Sequence, residues 1–256
     1  MDELIDLTGR VAVVTGAGRG IGAQIARRLA EAGAHVVVAD LDVDAAESIA
    51  TLLVDDFEVE SFAAQLDVAD TGTITATAGR AIAKWDRLDI WVNNAGIFPT
   101  SGPALNASDE VFDRVMTVNA RGTYAGGRIA ANAMTNGGVI VNVASTASFK
   151  TNLGTSAYIA SKSAVVGITR SYALEFAGRG IRVLAVAPTV IETPGLEASL
   201  ESLSSASIDV PARLAANPLR TAGTVDDIAK VVFFCCTSLA SLMTGVTIPV
   251  DAGSLL

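Results

Sequence analysis

Seven short, largely apolar runs, separated by longer amphipathic stretches, limit this chain to very few architectures. The runs are 11–15, 35–39, about 59–65, 88–92, 139–143, 181–187 and 246–250. A strand with one wet face alternates apolar and polar residues, whereas a run that is apolar throughout is buried on both faces, as in a parallel sheet covered by helices. Helix candidates fill the gaps at about 20–32, 42–52, 71–84, 108–133, 156–177 and 225–237. In the first, Ile21, Ile25, Ala26 and Leu29 fall at helical spacing. In the last, Thr224 stands as an N-cap ahead of Asp226 and Asp227. The regular alternation predicts one doubly wound α/β domain, 1–256, with a parallel sheet of about seven strands and helices on both faces. The exception is about 193–223, rich in Ser, Ala, Leu and Pro and without a strand, which reads as a substrate-binding loop.

Composition removes several classes of function. Half of the 256 residues are apolar and 18% are charged, so the chain is globular. A net charge of −9 argues against nucleic acid, whose phosphates need a basic face. Cys235 and Cys236 are adjacent in an apolar run and read as core thiols of a reducing compartment. A metal-binding or reactive pair is the alternative, but the single histidine, His35, lies far away beside Val36–Val38 and reads as a strand-edge residue, so no metal is expected. Residues 231–250 carry no charge and are long enough to cross a bilayer. Their Ser and Thr residues, with Gly245 and Pro249, instead describe a helix giving way to a buried strand. Met1 is followed by Asp2 and Glu3, the wrong charge for a signal or transit peptide. A cytoplasmic protein off the membrane is expected.

The first strand runs into Thr15-Gly16-Ala17-Gly18-Arg19-Gly20-Ile21-Gly22, and a helix follows. Glycines let a backbone turn tightly against a pyrophosphate, and the N–H groups and dipole of the helix favour the anion. Ile21 excludes the G-x-G-x-x-G pattern; the spacing is T-G-x-x-x-G-x-G. Asp40 ends the second strand and is followed by Leu41. A carboxylate there accepts the ribose hydroxyls of NAD and repels the 2′-phosphate of NADP. Arg19 pulls the other way, and Asp40 is expected to prevail.

Further on stand Ser145, Tyr158 and Lys162, at intervals of 13 and 4 residues. A Tyr and a Lys at i and i+4 share one helix face. A neighbouring cation lowers a phenol's pKa from roughly 10 and makes it a usable proton donor and acceptor.

Taken in order, Thr15-Gly16-x-x-x-Gly20-x-Gly22, Asp67-Val68, Asn93-Asn94-Ala95-Gly96, Asn119, Ser145, Tyr158 and Lys162 resemble the short-chain dehydrogenase/reductase family. The resemblance runs from Leu7 to Gly253 and implies a Rossmann-type fold and a nicotinamide cofactor. It places Gly16, Arg19, Gly20, Ile21, Gly22, Asp40 and Leu41 around the cofactor, with Asp67 and Val68 at the adenine and Asn94, Ala95 and Gly96 beside its ribose. Asn119 holds a water in a proton relay, Ser145 bonds the substrate oxygen, Tyr158 is the acid/base, and Lys162 binds the nicotinamide ribose and lowers the Tyr158 pKa. Pro188, Ile191 and Thr193 lie along the nicotinamide. Singly, Asn119 is equally a capping or kinking residue, and Ser145 equally a partner for backbone groups. Two departures stand out: Pro188-Thr189 where the family usually has Pro-Gly, and Val250-Asp251-Ala252-Gly253 where Val-Asp-Gly-Gly is commoner.

The activity implied is NAD-dependent interconversion of a secondary alcohol and a ketone, with a small-molecule partner. The alternatives are an NADPH-dependent ketoacyl-thioester or carbonyl reductase of the same family and a non-enzymatic NAD-binding regulator. Phe98, Ala147, Phe149, Lys150, Leu153 and the 193–223 segment are expected to wall the substrate pocket, with Ser145 and Tyr158 at its base. The resemblance also implies a homotetramer, or a homodimer. The small residues Ala125, Gly126, Gly127, Ala130 and Ala131 suit helix packing between subunits or on the chain's own sheet.

Overall fold

The computed structural model describes residues 2–99, 102–189, 191, 217–221 and 223–256. Its framework is one parallel sheet of seven strands in the order β3-β2-β1-β4-β5-β6-β7. The strands are β1 Val11–Thr15, β2 His35–Asp40, β3 Ser61–Gln65, β4 Ile90–Asn93, β5 Gly138–Val143, β6 Ile181–Pro188 and β7 Thr247–Val250. The helices are α1 Asp2–Ile5, α2 Gly20–Glu31, α3 Val43–Phe57, α4 Thr71–Trp85, α5 Asp109–Val115, α6 Gly122–Ala133, α7 Ser156–Phe176 and α8 Val225–Cys236.

The apolar strands β1, β2, β4, β5 and β6 are buried on both sides, as their sequences require, while the edge strands β3 and β7 are only partly covered. Ala12, Val14, Val36, Val38, Val92 and Val141 pack toward α2, α3 and α8. Val11, Val13, Val37, Trp91, Ile140 and Val183 pack toward α4, α6 and α7. At about 25 cal/mol per Å² these two layers are the main driving force for folding. A residue slipped by one position would turn each strand's two faces over, so this double burial fixes the register.

Most predicted boundaries hold within two residues, and two do not. The helix expected at 42–52 continues to Phe57. The stripe Ala46–Ala50–Leu53 stays buried past that point, and the acids Asp55 and Asp56 face outward rather than ending it. The helix expected over 108–133 is interrupted by a π-helical segment, Met116–Arg121. Elsewhere Thr224 and Asp227 form a complete capping box on α8. Cys235 and Cys236 are buried on that helix, where burial pushes Cys235 up to about 11 and Cys236 upward as well; neither is a ready thiolate. His35 begins β2, stacks on Trp85 at 5.5 Å, and accepts from Glu60 N through Nδ1 at 3.0 Å. Among the described residues no helix is long and apolar enough to cross a membrane.

The small residues of α6 are explained within the chain. A Cβ on Gly126 would collide with Asn93 Oδ1, and one on Gly127 would lie 2.8 Å from the Tyr172 ring. Gly126 and Gly127 let α6 approach β4 and α7.

Candidate active site

The strand order reverses between β1 and β4, and the carboxyl ends of these strands open onto a cavity of about 700 Å³. Crevices at such switch points are where doubly wound sheets bind ligands. Gly16, Arg19, Gly20, Ile21, Gly22, Asp40, Leu41, Asp67, Val68, Asn94, Ala95 and Gly96, all expected around a cofactor, line it. So do Leu66, Ala69, Ile97, Asp113, Arg114, Thr117 and Val118, which sequence reasoning missed. The last four belong to segments whose approach to β1 is purely tertiary.

The glycine loop is shaped by close backbone contacts. Gly16 has φ +63°, and a Cβ there would stand 2.8 Å from Ala95 Cα. A Cβ on Gly22 would overlap the Gly16 carbonyl oxygen. Asn94 and Thr15 staple this loop to β4. Asn94 Nδ2 donates to Thr15 O at 2.9 Å and to Gly16 O at 3.0 Å. Thr15 Oγ1 accepts from Asn94 N and Ala95 N, both at 3.0 Å. Both Asn94 amide hydrogens are therefore spent on the loop, so what faces the cavity from this segment is largely backbone. Asp40 is held similarly: Oδ2 accepts from Gly18 N at 2.8 Å and Oδ1 from Asp42 N at 3.1 Å. Asp67 accepts from Ala69 N at 2.9 Å. Arg19 is exposed at the rim and precedes α2, whose N-terminus carries no side-chain cap. A glycine-rich loop, a helix start without a side-chain cap and a fixed carboxylate at the end of β2 fit a nicotinamide dinucleotide.

None of the four predicted catalytic residues lines this cavity: Asn119 and Lys162 lie behind Gly96, and Ser145 is hydrogen-bonded to Tyr158. Ser145 follows β5 and its Oγ accepts from Ala147 N at 3.1 Å. Tyr158 and Lys162 lie on α7, and the Lys162 ammonium is 5.8 Å from the Tyr158 ring centroid. Lys162 is buried and donates to Val143 O at 2.7 Å. A Cβ on Gly96 would lie 3.2 Å from Asn119 Oδ1 and 3.5 Å from Lys162 Nζ, so both groups pack close behind Gly96. Phe98 packs edge-on against Tyr158 with centroids 4.5 Å apart.

The electrostatics depart from the simple expectation. Burial raises the Tyr158 phenol above its ordinary value, and the Ser145 hydrogen bond offsets only part of that rise. Lys162 does not depress it as expected, since its ammonium is aimed at the Val143 carbonyl and is itself desolvated. Burial lowers Lys162 to about 8. Asn119, in the π segment, is fully buried. Its Nδ2 donates to Ile97 O at 2.9 Å and Ser161 Oγ at 3.1 Å, and its Oδ1 accepts from Ile97 N at 2.8 Å. Its carbonyl accepts from Thr123 Oγ1 at 2.7 Å. The side chain thus ties the loop after β4 to α7, with both amide hydrogens committed to that link.

The expected substrate wall is uneven. Ala147 is buried beneath Ser145, but Phe149 is half exposed and Leu153 wholly exposed. Lys150 donates to Ser254 O at 3.2 Å rather than pointing free into solvent. Pro188 closes β6 opposite Val250, and Ile191 bridges Gly223 with its side chain buried in the core, so any cofactor contact there runs through backbone. Thr193 and most of the 193–223 segment lie outside the described residues.

Fold and site together define a dinucleotide-binding α/β oxidoreductase. Residues 16–254 match the family described as enoyl-(acyl carrier protein) reductase. The chain is 38% identical over 251 residues to a 4-formylbenzenesulfonate dehydrogenase of Comamonas testosteroni, covering 97% of this chain and 99% of that protein. It is 39% identical over 254 residues to a galactitol 2-dehydrogenase of Rhizobium johnstonii, with 96% and 95% covered. Its structure superposes with a TM-score of 0.89 on a 7α-hydroxysteroid dehydrogenase solved with NADH and 7-oxo glycochenodeoxycholic acid, at 31% identity over 99% of this chain and 97% of that one. The chain belongs to the short-chain dehydrogenase/reductase family.

Proposed function

We propose that this protein, acting as one catalytic domain, is an NAD-dependent dehydrogenase interconverting a secondary alcohol and a ketone. The observation that supports the reading is the Ser145–Tyr158 hydrogen bond together with Lys162, buried on the same helix as Tyr158 and lying behind Gly96 of the cavity wall. Gly16, Gly20, Ile21, Gly22, Asp40, Asp67, Val68 and the Asn94–Gly96 backbone would hold the dinucleotide. When bound, the nicotinamide supplies or accepts the hydride. Tyr158 moves the proton at the substrate oxygen. Ser145 donates to the same oxygen and steadies charge developing there. Lys162, behind Gly96, would bind the nicotinamide ribose and pass the proton on toward Asn119.

Asp40 supports NAD: its carboxylate is fixed by two backbone N–H groups at the cavity and would meet a 2′-phosphate with like charge. Arg19, free of ion pairs among the described residues, favours a second reading, NADPH-dependent reduction of an acyl thioester or other carbonyl. The test is an alcohol, polyol and ketone panel run with NAD(H) and NADP(H). The first reading expects kcat/KM at least about tenfold higher with NAD(H), and about a tenfold erosion of that preference in Asp40→Ser. A preference for NADPH with thioester substrates would replace it with the second. The cytoplasmic location and homotetramer implied by family likeness are part of the same proposal.

A further inference from the structure

Both departures from the family's usual sequence, Thr189 and Ala252, meet at one place. After β7 the chain turns through 251–256, and Asp251 organises that turn. Its Oδ1 accepts from Gly253 N at 3.0 Å, and its Oδ2 accepts from Leu255 N at 2.9 Å and Ser254 Oγ at 3.2 Å. Ala252 is left-handed, with φ +52°, a conformation that a side chain resists and that persists only where neighbours enforce it.

The turn touches three other segments of the chain. The Ser254 hydroxyl lies 3.4 Å from Thr189 Oγ1, just past the end of β6. The Ser254 carbonyl accepts from Lys150 Nζ at 3.2 Å, in the segment between Ser145 and Tyr158. Ala252 O accepts from Leu219 N at 3.3 Å, and Gly253 lies so close to Pro218 that a Cβ would come within 2.9 Å of its ring. A glycine at 189 would have no hydroxyl to offer. The β-branched residue at 189 thus has a partner in Ser254.

We infer that Ser254 is a positioning residue for the substrate pocket. Through Thr189 and Lys150 it braces the β6 exit against the loop that follows Ser145, and so sets the width of the pocket between them. The inference rests on the reading that the substrate binds beside Ser145 and Tyr158. The single hydroxyl proton of Ser254 cannot serve Thr189 and Asp251 together, so the Thr189 hydroxyl must donate into the pair when Ser254 donates to the carboxylate. Substituting either hydroxyl then breaks the same link.

A double-mutant cycle tests this with Thr189→Val, which keeps the branched shape, and Ser254→Ala. The brace predicts that each single variant raises KM for the preferred alcohol about threefold to tenfold while kcat stays within about twofold. The double variant is then no worse than the more damaging single, because coupled neighbours are non-additive. Kd for NADH, read by fluorescence titration, stays within about twofold in all three. Additive KM effects, or a fall in kcat with KM unchanged, overturn the brace. Hydrogen exchange gives a readout independent of turnover. Ser254→Ala should speed exchange in 146–155 and 217–221 and leave β1 and β2 unchanged; unchanged exchange in those two segments also overturns it. Should the wild type bind NADH and turn over no alcohol or ketone, the proposed activity fails, and the exchange comparison still decides the brace.

Discussion

The two ends of the cleft are built from different materials. Around the glycine loop, close backbone contacts shape the cavity, and the side chains nearby help to hold it: Asn94 on Thr15 and Gly16, Asp40 on Gly18 and Asp42. Around Ser145 and Tyr158 the chemistry is in side chains, one of them a buried ammonium, and the rim beyond them is exposed. A backbone cradle recognises a feature common to many ligands, a pyrophosphate, and tolerates no change in shape. A side-chain rim can be re-decorated without disturbing the sheet beneath. The contrast explains how relatives whose names point to a sulfonated aldehyde and to a hexitol share one framework with this chain.

The largest expected effect lies at the side-chain end. Tyr158→Phe removes the phenolic proton and should lower kcat/KM by about 10³-fold, within the 10²–10⁴ range of positioned acid/base groups. NADH affinity should change little, because the cradle is remote. Steady-state kinetics beside a fluorescence titration separates the two quantities. Near wild-type turnover would remove the proton-transfer role and leave the side-chain end without a catalyst.

Next is the buried Lys162. Burial lowers its folded-state pKa from 10.5 to about 8, so between those values the unfolded chain binds the extra proton. Stability contributed through this group therefore rises as pH climbs from about 8 to about 10.5, and below that window the folded state carries the full cost of a desolvated ammonium. Lys162→Met lacks the titration. Urea unfolding across pH 7 to 10.5 should show wild type gaining on the variant by an amount on the order of 3 kcal/mol over the whole window. Parallel stability curves for the two proteins would mean the ammonium keeps its ordinary pKa.

At the backbone end, Gly22→Ala tests intolerance of shape. The added Cβ would overlap the Gly16 carbonyl, which is main chain and has no rotamer to escape into. Overpacking of this kind destabilises by about 2 kcal/mol and should weaken NADH binding together with stability. If urea midpoint and NADH Kd both stay at wild-type values, the loop is more compliant than the comparison holds.

The two ends were also unequally legible in the sequence. The cradle was nearly complete there because glycines are chosen for backbone geometry, and the apolar strands and the T-G-x-x-x-G-x-G spacing are local signals. What they do not carry is the use to which Asn94 is put, since its partners Thr15 and Gly16 lie 79 and 78 residues away. The π segment around Asn119 leaves no periodic trace, as one extra residue in a turn barely shifts the apolar pattern over so short a length. Tyr158 and Lys162 were visible as an i, i+4 pair. Their pKa behaviour was not, because it depends on burial and on the Val143 carbonyl, which only the packing of α7 on β5 supplies. The substrate rim was least legible: Phe149, Lys150 and Leu153 were grouped by position, and the structure separates them into half exposed, bonded to the C-terminal turn, and fully exposed.

That separation sets the smallest effect. Leu153 stands wholly in solvent, so it contributes no burial to the fold. Leu153→Ser should leave the urea midpoint unchanged, within about 0.5 kcal/mol, as surface substitutions do. If the rim meets the substrate, the same variant raises KM for apolar ketones by a few fold and leaves KM for small polyols alone, since only an apolar ligand loses a contact of about one or two methylenes' worth of area. A midpoint that falls with the substitution would show Leu153 packed against the protein rather than open to ligand, and would shrink the re-decorable rim to Phe149 and its neighbours. An unchanged midpoint with unchanged KM for every substrate would instead move the substrate away from this loop and toward the β6 exit.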